Sequence, residues 1–295
     1  MCKSPTPIKN MLYARARLGE GPIWDHQQQR LFWVDIYNHR LHKFDLATQQ
    51  DTFWEFEDLV TGLALIDAEN LVLAQRDGLS RLHLPTQRLT FLIDLESDQP
   101  DNRLNDLKCD RRGRLWIGSM NNNEEPKAKL YRYDPDGSLR VMETGLSISN
   151  GLGWSPDDTT FYLTDSPAQK IYAYDFDLDS GQIRDRRVLI DLTSESFFPD
   201  GLTIDAEGCI WSAMWDGWCV IRFNPQGQEL MRIPIPAQRP TSCTFGGPDL
   251  TDLWITTAAV GLSQSEIQKG FYAGDLFCLQ TDIVGSPNHA FNLSD

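Results

Sequence analysis

The 295-residue sequence predicts an all-β protein, and more narrowly a six-bladed β-propeller, on three observations. Helical periodicity is almost absent, and short runs of β-branched and aromatic residues dominate instead. Asp-Gly, Pro-Asp and Gly-Gly turns separate these runs. Six stretches repeat one order of polar residue, apolar run, turn, strand and second hairpin. A repeat of about 45 residues with four strands is the signature of a propeller blade.

The six repeats align at their first polar residue. They begin "EGPIWDHQQQRLFWVD", "TGLALIDAENLVLAQ", "NDLKCDRRGRLWIGSM", "NGLGWSPDDTTFYLTD", "DGLTIDAEGCIWSAMW" and "TSCTFGGPDLTDLWITTA". Their first residues are Glu20, Thr61, Asn105, Asn150, Asp200 and Thr241, at steps of 41, 44, 45, 50 and 41 residues. We therefore expect four-stranded antiparallel blades around a central channel, because the alternative, a pair of β-sandwiches, would not explain a polar position that recurs in phase.

The repeats span nearly the whole chain, which predicts one propeller domain over residues 11–295. The segment 1–10, "MCKSPTPIKN", precedes the first repeat, and we expect it to be loose. Residues near 11–17 are candidates to pair with the last blade and close the circle, since closure removes exposed strand edges.

Charge and composition exclude several classes of protein. The formal net charge is −15, with 42 acidic against 27 basic residues and no basic stripe, which argues against a nucleic-acid partner. No apolar run approaches the length of about 20 residues that spans a membrane. The first residues lack the apolar core of a secretory signal, so we expect a cytoplasmic protein. No heptad pattern or basic tail indicates a protein partner.

Six cysteines stand at positions 2, 109, 209, 219, 243 and 278. No two have the C-x-x-C spacing of a zinc or redox motif. Because a chain of this length can bury a large core, it does not need a disulfide framework, and we expect free and mostly buried thiols.

The aligned polar residues predict a binding site on the propeller axis. Equivalent positions on the first strands of successive blades form a ring around the channel, so Glu20, Asn150 and Asp200 would meet despite their separation in sequence. Taken singly, each is an ordinary turn residue. Converging carboxylates repel one another unless a cation lies among them, and an all-oxygen ligand set favours one divalent ion, calcium first, with magnesium, manganese or zinc as alternatives.

At these residues the sequence resembles the senescence marker protein / gluconolactonase / luciferin-regenerating family. "GEGPIW", "RLNDLKCDRRGRLWIGSM", "ISNGLGWSPD" and "FPDGLTIDAEGCIW" match its motifs in order and spacing. The resemblance implies a six-bladed propeller with a divalent cation in its channel and hydrolysis of aldonic acid lactones. It also implies that Glu20, Asn150 and Asp200 are the metal ligands, and that Arg103 and Asn105 bind substrate.

The match departs from the family pattern at two places. Leu107 stands where the family usually has Gly after Asn-Asp. After "GSM" the family often places a glutamate that contacts the sugar, and counting without gaps gives Asn123, with Glu124 and Glu125 just beyond. Asn123 is thus the predicted third substrate residue, with the choice among the three left open.

These residues support a hydrolase that opens sugar lactones by attack of metal-activated water on the ring carbonyl, with Asp200 as general base. Two alternatives are an organophosphate or aryl ester hydrolase that uses the same cation, and a calcium-binding propeller without catalytic activity. Arg103 and Asn105 favour a hydroxylated substrate, whereas an aryl ester site needs an apolar mouth.

Overall fold

The computed structural model describes residues 7–293, which form six four-stranded antiparallel sheets. In each sheet the strands follow chain order from the inside outwards, except in the last one. The first strands of neighbouring sheets contact one another around a full circle, and the sixth contacts the first. The prediction of a six-bladed β-propeller is therefore confirmed.

The first three blades follow the chain without interruption. Blade 1 contains β2 (Gly19–Asp25), β3 (Arg30–Asp35), β4 (Arg40–Asp45) and β5 (Gln50–Glu55), with a 3₁₀ turn at Ile36–Asn38. Blade 2 contains β6 (Val60–Leu65), β7 (Asn70–Gln75), β8 (Gly78–His83) and β9 (Arg88–Asp94). Blade 3 contains β10 (Asn102–Cys109), β11 (Leu115–Asn121), β12 (Ala128–Tyr133) and β13 (Leu139–Leu146).

The other three blades complete the circle. Blade 4 contains β14 (Ser149–Trp154), β15 (Thr160–Asp165), β16 (Lys170–Asp177) and β17 (Gln182–Asp191). Blade 5 contains β18 (Phe198–Ile204), β19 (Ile210–Trp215), β20 (Cys219–Phe223) and β21 (Glu229–Pro234). Blade 6 contains β22 (Pro240–Gly246), β23 (Asp252–Thr257) and β24 (Leu276–Gln280), with helix α1 (Gln264–Lys269) before β24.

An N-terminal strand supplies the outer position of blade 6. This strand, β1 (Lys9–Leu12), pairs antiparallel with β24, and Asn10 lies opposite Phe277. Pairing with the last blade thus involves residues 11 and 12 of the segment expected to close the circle, together with residues 9 and 10 of the segment expected to be loose. Residues 1–6 lie outside the described part of the chain. The pairing covers an edge that β24 would otherwise leave open.

Each of the six first strands contains a break in register at the aligned polar residue. The breaks fall between Glu20 and Ile23 in β2, between Leu104 and Leu107 in β10, and between Asn150 and Leu152 in β14. The remaining three are at Val60/Gly62, Pro199/Leu202 and Pro240/Ser242. A β-bulge changes the direction of a side chain, and here it does so at the same place in every blade.

The core lies between the blades. Trp33, Trp116, Trp211 and Trp254 occupy their second strands and are all fully buried. Burial of large aromatic side chains is the main stabilising contribution in such an interface. The five cysteines among the described residues are free and buried, as the sequence predicts. Among residues 7–293, no helix is long and apolar enough to cross a membrane.

The C-terminal segment crosses the end of the propeller where the first strands finish. The backbone N–H of Ser286 donates to Ile204 O (3.1 Å), that of Phe291 donates to Leu65 O (2.7 Å), and that of Asn292 donates to Gly113 O (3.1 Å). Phe291 is fully buried. Since the aligned polar residues stand near the beginning of the same strands, they occupy the opposite mouth of the channel.

Candidate metal centre and active site

A cavity of about 400 Å³ lies at the mouth where the first strands begin. Its polar wall is formed by Glu20, Tyr37, Arg103, Asn105, Glu124, Asn150, Ser166, Asp200 and Arg239. Its apolar wall is formed by Leu18, Met120, Ile148, Pro167, Phe198, Trp215 and Val260. The cavity is large enough for a small organic molecule and carries both hydrogen-bonding and apolar surface.

Four of the six aligned positions line this cavity, and the two threonines do not. The Thr61 hydroxyl donates to the backbone of Ala74, and the Thr241 hydroxyl donates to the backbone of Gly19. These short side chains form hydrogen bonds with backbone oxygens of neighbouring strands and do not reach the channel axis. Among the six aligned positions, the polar side chains that line the cavity are therefore those of Glu20, Asn105, Asn150 and Asp200.

Asn150 is oriented by a serine that the sequence reasoning did not identify. The Ser166 hydroxyl donates to Pro199 O (2.7 Å), so its oxygen is left to accept a bond from Asn150 Nδ2 (3.1 Å). This contact fixes the amide so that its carbonyl oxygen turns away from Ser166. Ser166 begins the β15–β16 turn, and "TDSP" gave no signal of this role.

Burial strongly perturbs the two carboxylates. Desolvation first, and then the nearby Asp106 carboxylate, raise the pKa of Glu20 to about 8, while the Gly21 N–H opposes the rise. Burial, followed by Glu20 and Asp106, also raises the pKa of Asp200 well above its usual value. Both shifts mean that ionised carboxylates at this mouth lack compensating positive charge.

The donor set fits a hard divalent cation. Asp200 Oδ1 is buried and has no hydrogen-bond partner among residues 7–293. Glu20, Asn150 and Asp200 offer carboxylate and amide oxygens, the ligands that calcium and magnesium prefer. No group of three His, Cys, Asp or Glu side chains in the described part of the chain could hold a metal ion, so an amide has to complete this set.

Arg103 and Asn105 form a rigid pair beside these carboxylates. Arg103 Nη1 donates to Asn105 Oδ1 (2.9 Å) and to Leu104 O (2.9 Å), and Asn105 Nδ2 donates to Ser149 O (3.0 Å). Burial lowers the pKa of Arg103, while Tyr37, Glu20 and Asp200 raise it. Arg103 Nε is buried and lacks a partner among the described residues, which leaves a donor available near the cavity.

The structure distinguishes among the three candidates that follow "GSM". All three are exposed to solvent, but Glu124 lines the cavity, whereas Asn123 and Glu125 are not part of its wall. Glu124 has a left-handed backbone conformation, with φ of 57°. Sequence spacing alone does not reveal this backbone conformation, and a gap-free count therefore selected the neighbouring Asn123.

Asp106 and Lys108 are half-buried charged residues of β10 that the sequence reasoning missed. Burial raises the pKa of Asp106, and Lys108 opposes the rise. Burial also lowers the pKa of Lys108, whose Nζ donates to Leu202 O (2.9 Å). The available signal was the position after the aligned polar residue, where blades 1, 2, 4 and 5 have glycine and blade 3 has Asp106.

Fold and site together define a class: a closed six-bladed propeller with an oxygen-lined cavity at one mouth. The sequence profile of the SMP-30/Gluconolactonase/LRE-like region matches residues 18–259. The chain belongs to this family.

Individual relatives cover nearly the whole chain. It is 34% identical over 291 residues to pentonolactonase XacC of Haloferax volcanii, covering 95% of this chain and 96% of that one. Among solved structures, a calcium-binding protein named regucalcin from Agrobacterium tumefaciens has a TM-score of 0.94 and 30% identity, with 98% of both chains covered. A gluconolactonase from Xanthomonas campestris has a TM-score of 0.75 and 26% identity, covering 92% of this chain and 89% of that one.

Proposed function

We propose that the protein is a divalent-cation-dependent lactonase that opens sugar lactones of the aldonolactone type. The observation that carries the proposal is the juxtaposition of Glu20, Asn150 and Asp200 in one cavity with a buried arginine. Relatives named pentonolactonase and gluconolactonase support the substrate class. Glu20, Asn150 and Asp200 would hold the cation, with calcium the first candidate and zinc, manganese and magnesium the alternatives.

Each residue has a distinct part in the proposed reaction. Asp200 accepts a proton from the attacking water. It returns this proton to the ring oxygen when the single bond between the carbonyl carbon and the ring oxygen breaks, which yields the hydroxy acid. Arg103 and Asn105 orient the lactone by hydrogen bonds, and Glu124 accepts bonds from its hydroxyl groups. A bound divalent cation supplies Lewis-acid activation of the lactone carbonyl and of water.

The test is metal removal and add-back across a panel of lactones. Chelator-treated protein should lose hydrolysis of glucono-1,5-lactone and of a pentonolactone, and one of calcium, zinc, manganese or magnesium should restore it. Glu20→Ala and Asp200→Ala should abolish both cation binding, measured by calorimetry, and turnover. Full activity in the metal-free protein or in either variant would overturn the proposal.

Thr61→Ala is a matched control for those variants. Thr61 occupies the aligned position of blade 2, at the same break in register, but its hydroxyl donates to the backbone of Ala74 and it does not line the cavity. We expect it to keep both cation binding and turnover. A loss equal to that of Asp200→Ala would mean that the aligned position matters only for folding.

A second candidate activity is hydrolysis of aryl esters or organophosphates by the same site. Met120, Ile148, Phe198 and Trp215 give one side of the cavity an apolar surface, which suits an aromatic group. Phenyl acetate and a phosphotriester therefore belong in the panel. Faster turnover of these than of every sugar lactone would favour the second candidate, and cation binding without any turnover would favour a calcium-binding propeller.

Polar cavity walls imply a small-molecule partner, a sugar lactone. We propose a cytoplasmic location and no nucleic-acid, membrane or protein partner; the net charge of −15 without a basic stripe supports the absence of a nucleic-acid partner.

A further inference from the structure

The loop between β11 and β12 contributes Glu124 to the cavity wall. Residues 122–127 of this loop are exposed to solvent, and Glu124 has a positive φ of 57°. An exposed loop with a strained residue at the cavity needs an anchor if its side chain is to hold one position.

Asn121, at the end of β11, supplies that anchor. It is fully buried, and its Oδ1 accepts bonds from the backbone N–H groups of Asn123 (3.0 Å) and Glu125 (3.1 Å). Its backbone oxygen accepts from Glu124 N (3.0 Å). One buried residue thus holds three consecutive amides of the loop, and the central one belongs to Glu124.

The Asn121 amide is the last member of a buried hydrogen-bonded chain. Asn121 Nδ2 donates to Asn102 Oδ1 (2.8 Å), and Asn102 Nδ2 donates to Glu96 Oε2 (2.9 Å). Asn102 Nδ2 also lies 3.3 Å from the carbonyl oxygen of Lys127, at the far end of the loop. Both ends of the loop are therefore hydrogen-bonded to the same buried series of side chains.

Glu96 determines which end of each amide in this hydrogen-bonded series donates and which accepts. Its Oε1 accepts from Tyr131 OH (2.6 Å) and Ser119 Oγ (3.1 Å), so the buried carboxylate receives bonds on both oxygens. An ionised carboxylate can only accept, which forces Asn102 to present its NH₂ to Glu96 and its oxygen to Asn121. Asn121 must then present its own oxygen to the loop. Reversing either amide would place N–H groups against N–H groups.

The hydrogen-bonded residues Glu96, Asn102 and Asn121 lie directly behind the cavity wall. Asn102 pairs with Asn121 across β10 and β11, and the next pair is Arg103 with Met120, both of which line the cavity. Successive side chains on a strand point to opposite faces, so the two pairs act from the two sides of one sheet.

From these contacts we propose that Glu96, Asn102 and Asn121 are positioning residues that set substrate specificity. They hold Glu124 where it can accept hydrogen bonds from the hydroxyl groups of a lactone, and so favour polyhydroxylated over unsubstituted rings. This inference rests on the proposed lactonase function. None of the three residues contacts the cavity itself, since none lines its wall.

The test compares two variants on two substrates. Asn121→Ala removes the loop anchor, and Glu96→Gln replaces one acceptor by a donor at nearly the same volume. For glucono-1,5-lactone, Asn121→Ala should raise KM about tenfold at unchanged kcat, which is the size of one lost hydrogen bond to a charged group. Glu96→Gln should raise KM in the same direction. Neither should change KM for δ-valerolactone, which has no hydroxyl groups.

Asn70→Ala is the matched control. Asn70 is also a buried asparagine at a strand end, bonded to Asp67 and Arg81, and it does not line the cavity. It should leave both KM values unchanged. Equal KM changes on both lactones, or the same split in Asn70→Ala, would overturn the inference.

A second measurement does not depend on turnover. Hydrogen exchange of the peptide that contains residues 121–128 should become faster in Asn121→Ala and Glu96→Gln, and stay slow in Asn70→Ala. If the wild type hydrolyses no lactone, the proposed function fails, and unchanged exchange would separately refute the positioning role. If the wild type is active and the variants show no selective change in KM, the inference alone fails. If Asn121→Ala does not fold, Glu96→Gln decides.

Discussion

At the scale of single residues, the site is an arrangement of charge that the protein alone does not neutralise. Burial and then Asp106 raise the pKa of Glu20, and burial and then Glu20 and Asp106 raise the pKa of Asp200. Burial raises the pKa of Asp106 as well, and it lowers the pKa values of Arg103 and Lys108. Three carboxylates against two cationic side chains leave a site that would gain from a divalent ion. If the proposed cation binds here, this arrangement would favour its binding at the expense of stability in the metal-free protein.

The pKa of Glu20 predicts how the stability of metal-free protein depends on pH. Its value of about 8, against an ordinary 4.5, means that the folded state holds a proton that the unfolded state releases. The stability contributed by this proton is present below pH 4.5 and is lost as the pH rises through about 8. Chelator-treated wild type should therefore lose more free energy of unfolding than Glu20→Gln between about pH 5 and about pH 9.

Urea denaturation at several pH values measures this difference. Calcium should flatten the wild-type profile, because a bound cation favours the ionised carboxylate, and it should leave Glu20→Gln nearly unaffected. Parallel profiles for the two metal-free proteins would contradict the prediction.

At the scale of elements, glycines explain how the first strands can converge. A Cβ on Gly151 of β14 would lie 2.5 Å from both Asp200 O and Leu202 N of β18. A Cβ on Gly62 of β6 would lie 2.4 Å from the Leu107 side chain of β10. Adjacent first strands therefore approach closely at the residue after the aligned polar position in blades 2 and 4. Leu107, the departure from the family pattern, fills the space that Gly62 leaves.

Gly151→Ala should consequently disturb both the fold and the site. Because the new methyl group would meet backbone instead of a flexible side chain, we expect a loss of about 2–3 kcal/mol in the free energy of unfolding. Gly137→Ala, in an open turn with φ of 83° and no atom within 4 Å, should cost only about 1 kcal/mol for its backbone conformation. Urea denaturation compares the two. If both variants lost the same free energy of unfolding, glycine would be needed at position 151 for its conformational freedom and not for the close approach of the two strands.

At the scale of the whole molecule, the propeller depends on contacts between the two ends of the chain. Strand β1 closes blade 6, and Asn10 Nδ2 donates to Asp275 Oδ2 (2.7 Å) beside β24. The partly buried Met11 and Leu12 pack against the blade 6–blade 1 core. Closure thus combines backbone pairing with burial of apolar surface.

A variant without residues 1–12 should have a lower melting temperature and should aggregate. Lost burial of about 2–3 kcal/mol corresponds to a fall of about 3–5 °C in a domain of this size. A synthetic peptide of residues 7–14 should restore part of the loss by occupying the open edge of β24. An unchanged melting temperature, measured by circular dichroism at several protein concentrations, would contradict the role of β1.

Periodicity was enough to predict six blades, because a repeated unit with one polar position in phase admits few arrangements. The aligned residues Glu20, Asn105, Asn150 and Asp200 lie together for the same reason. The same alignment also marked Thr61 and Thr241, and only the structure separates them, because their hydroxyls reach backbone oxygens within the sheet.

The sequence by itself determined the number of blades, the strands that line the channel and the oxygen-rich character of one mouth, since all three follow from the alignment of the six repeats. Tertiary structure alone decided that Glu124, and not Asn123, faces the cavity, that Ser166 orients Asn150, and that Glu96 and Asn102 stand behind Asn121. These three features depend on the left-handed backbone of Glu124, on the hydrogen bond that the Ser166 hydroxyl donates to Pro199 O, and on contacts between residues far apart in sequence. Each is a property of three-dimensional position that no local pattern of residues encodes.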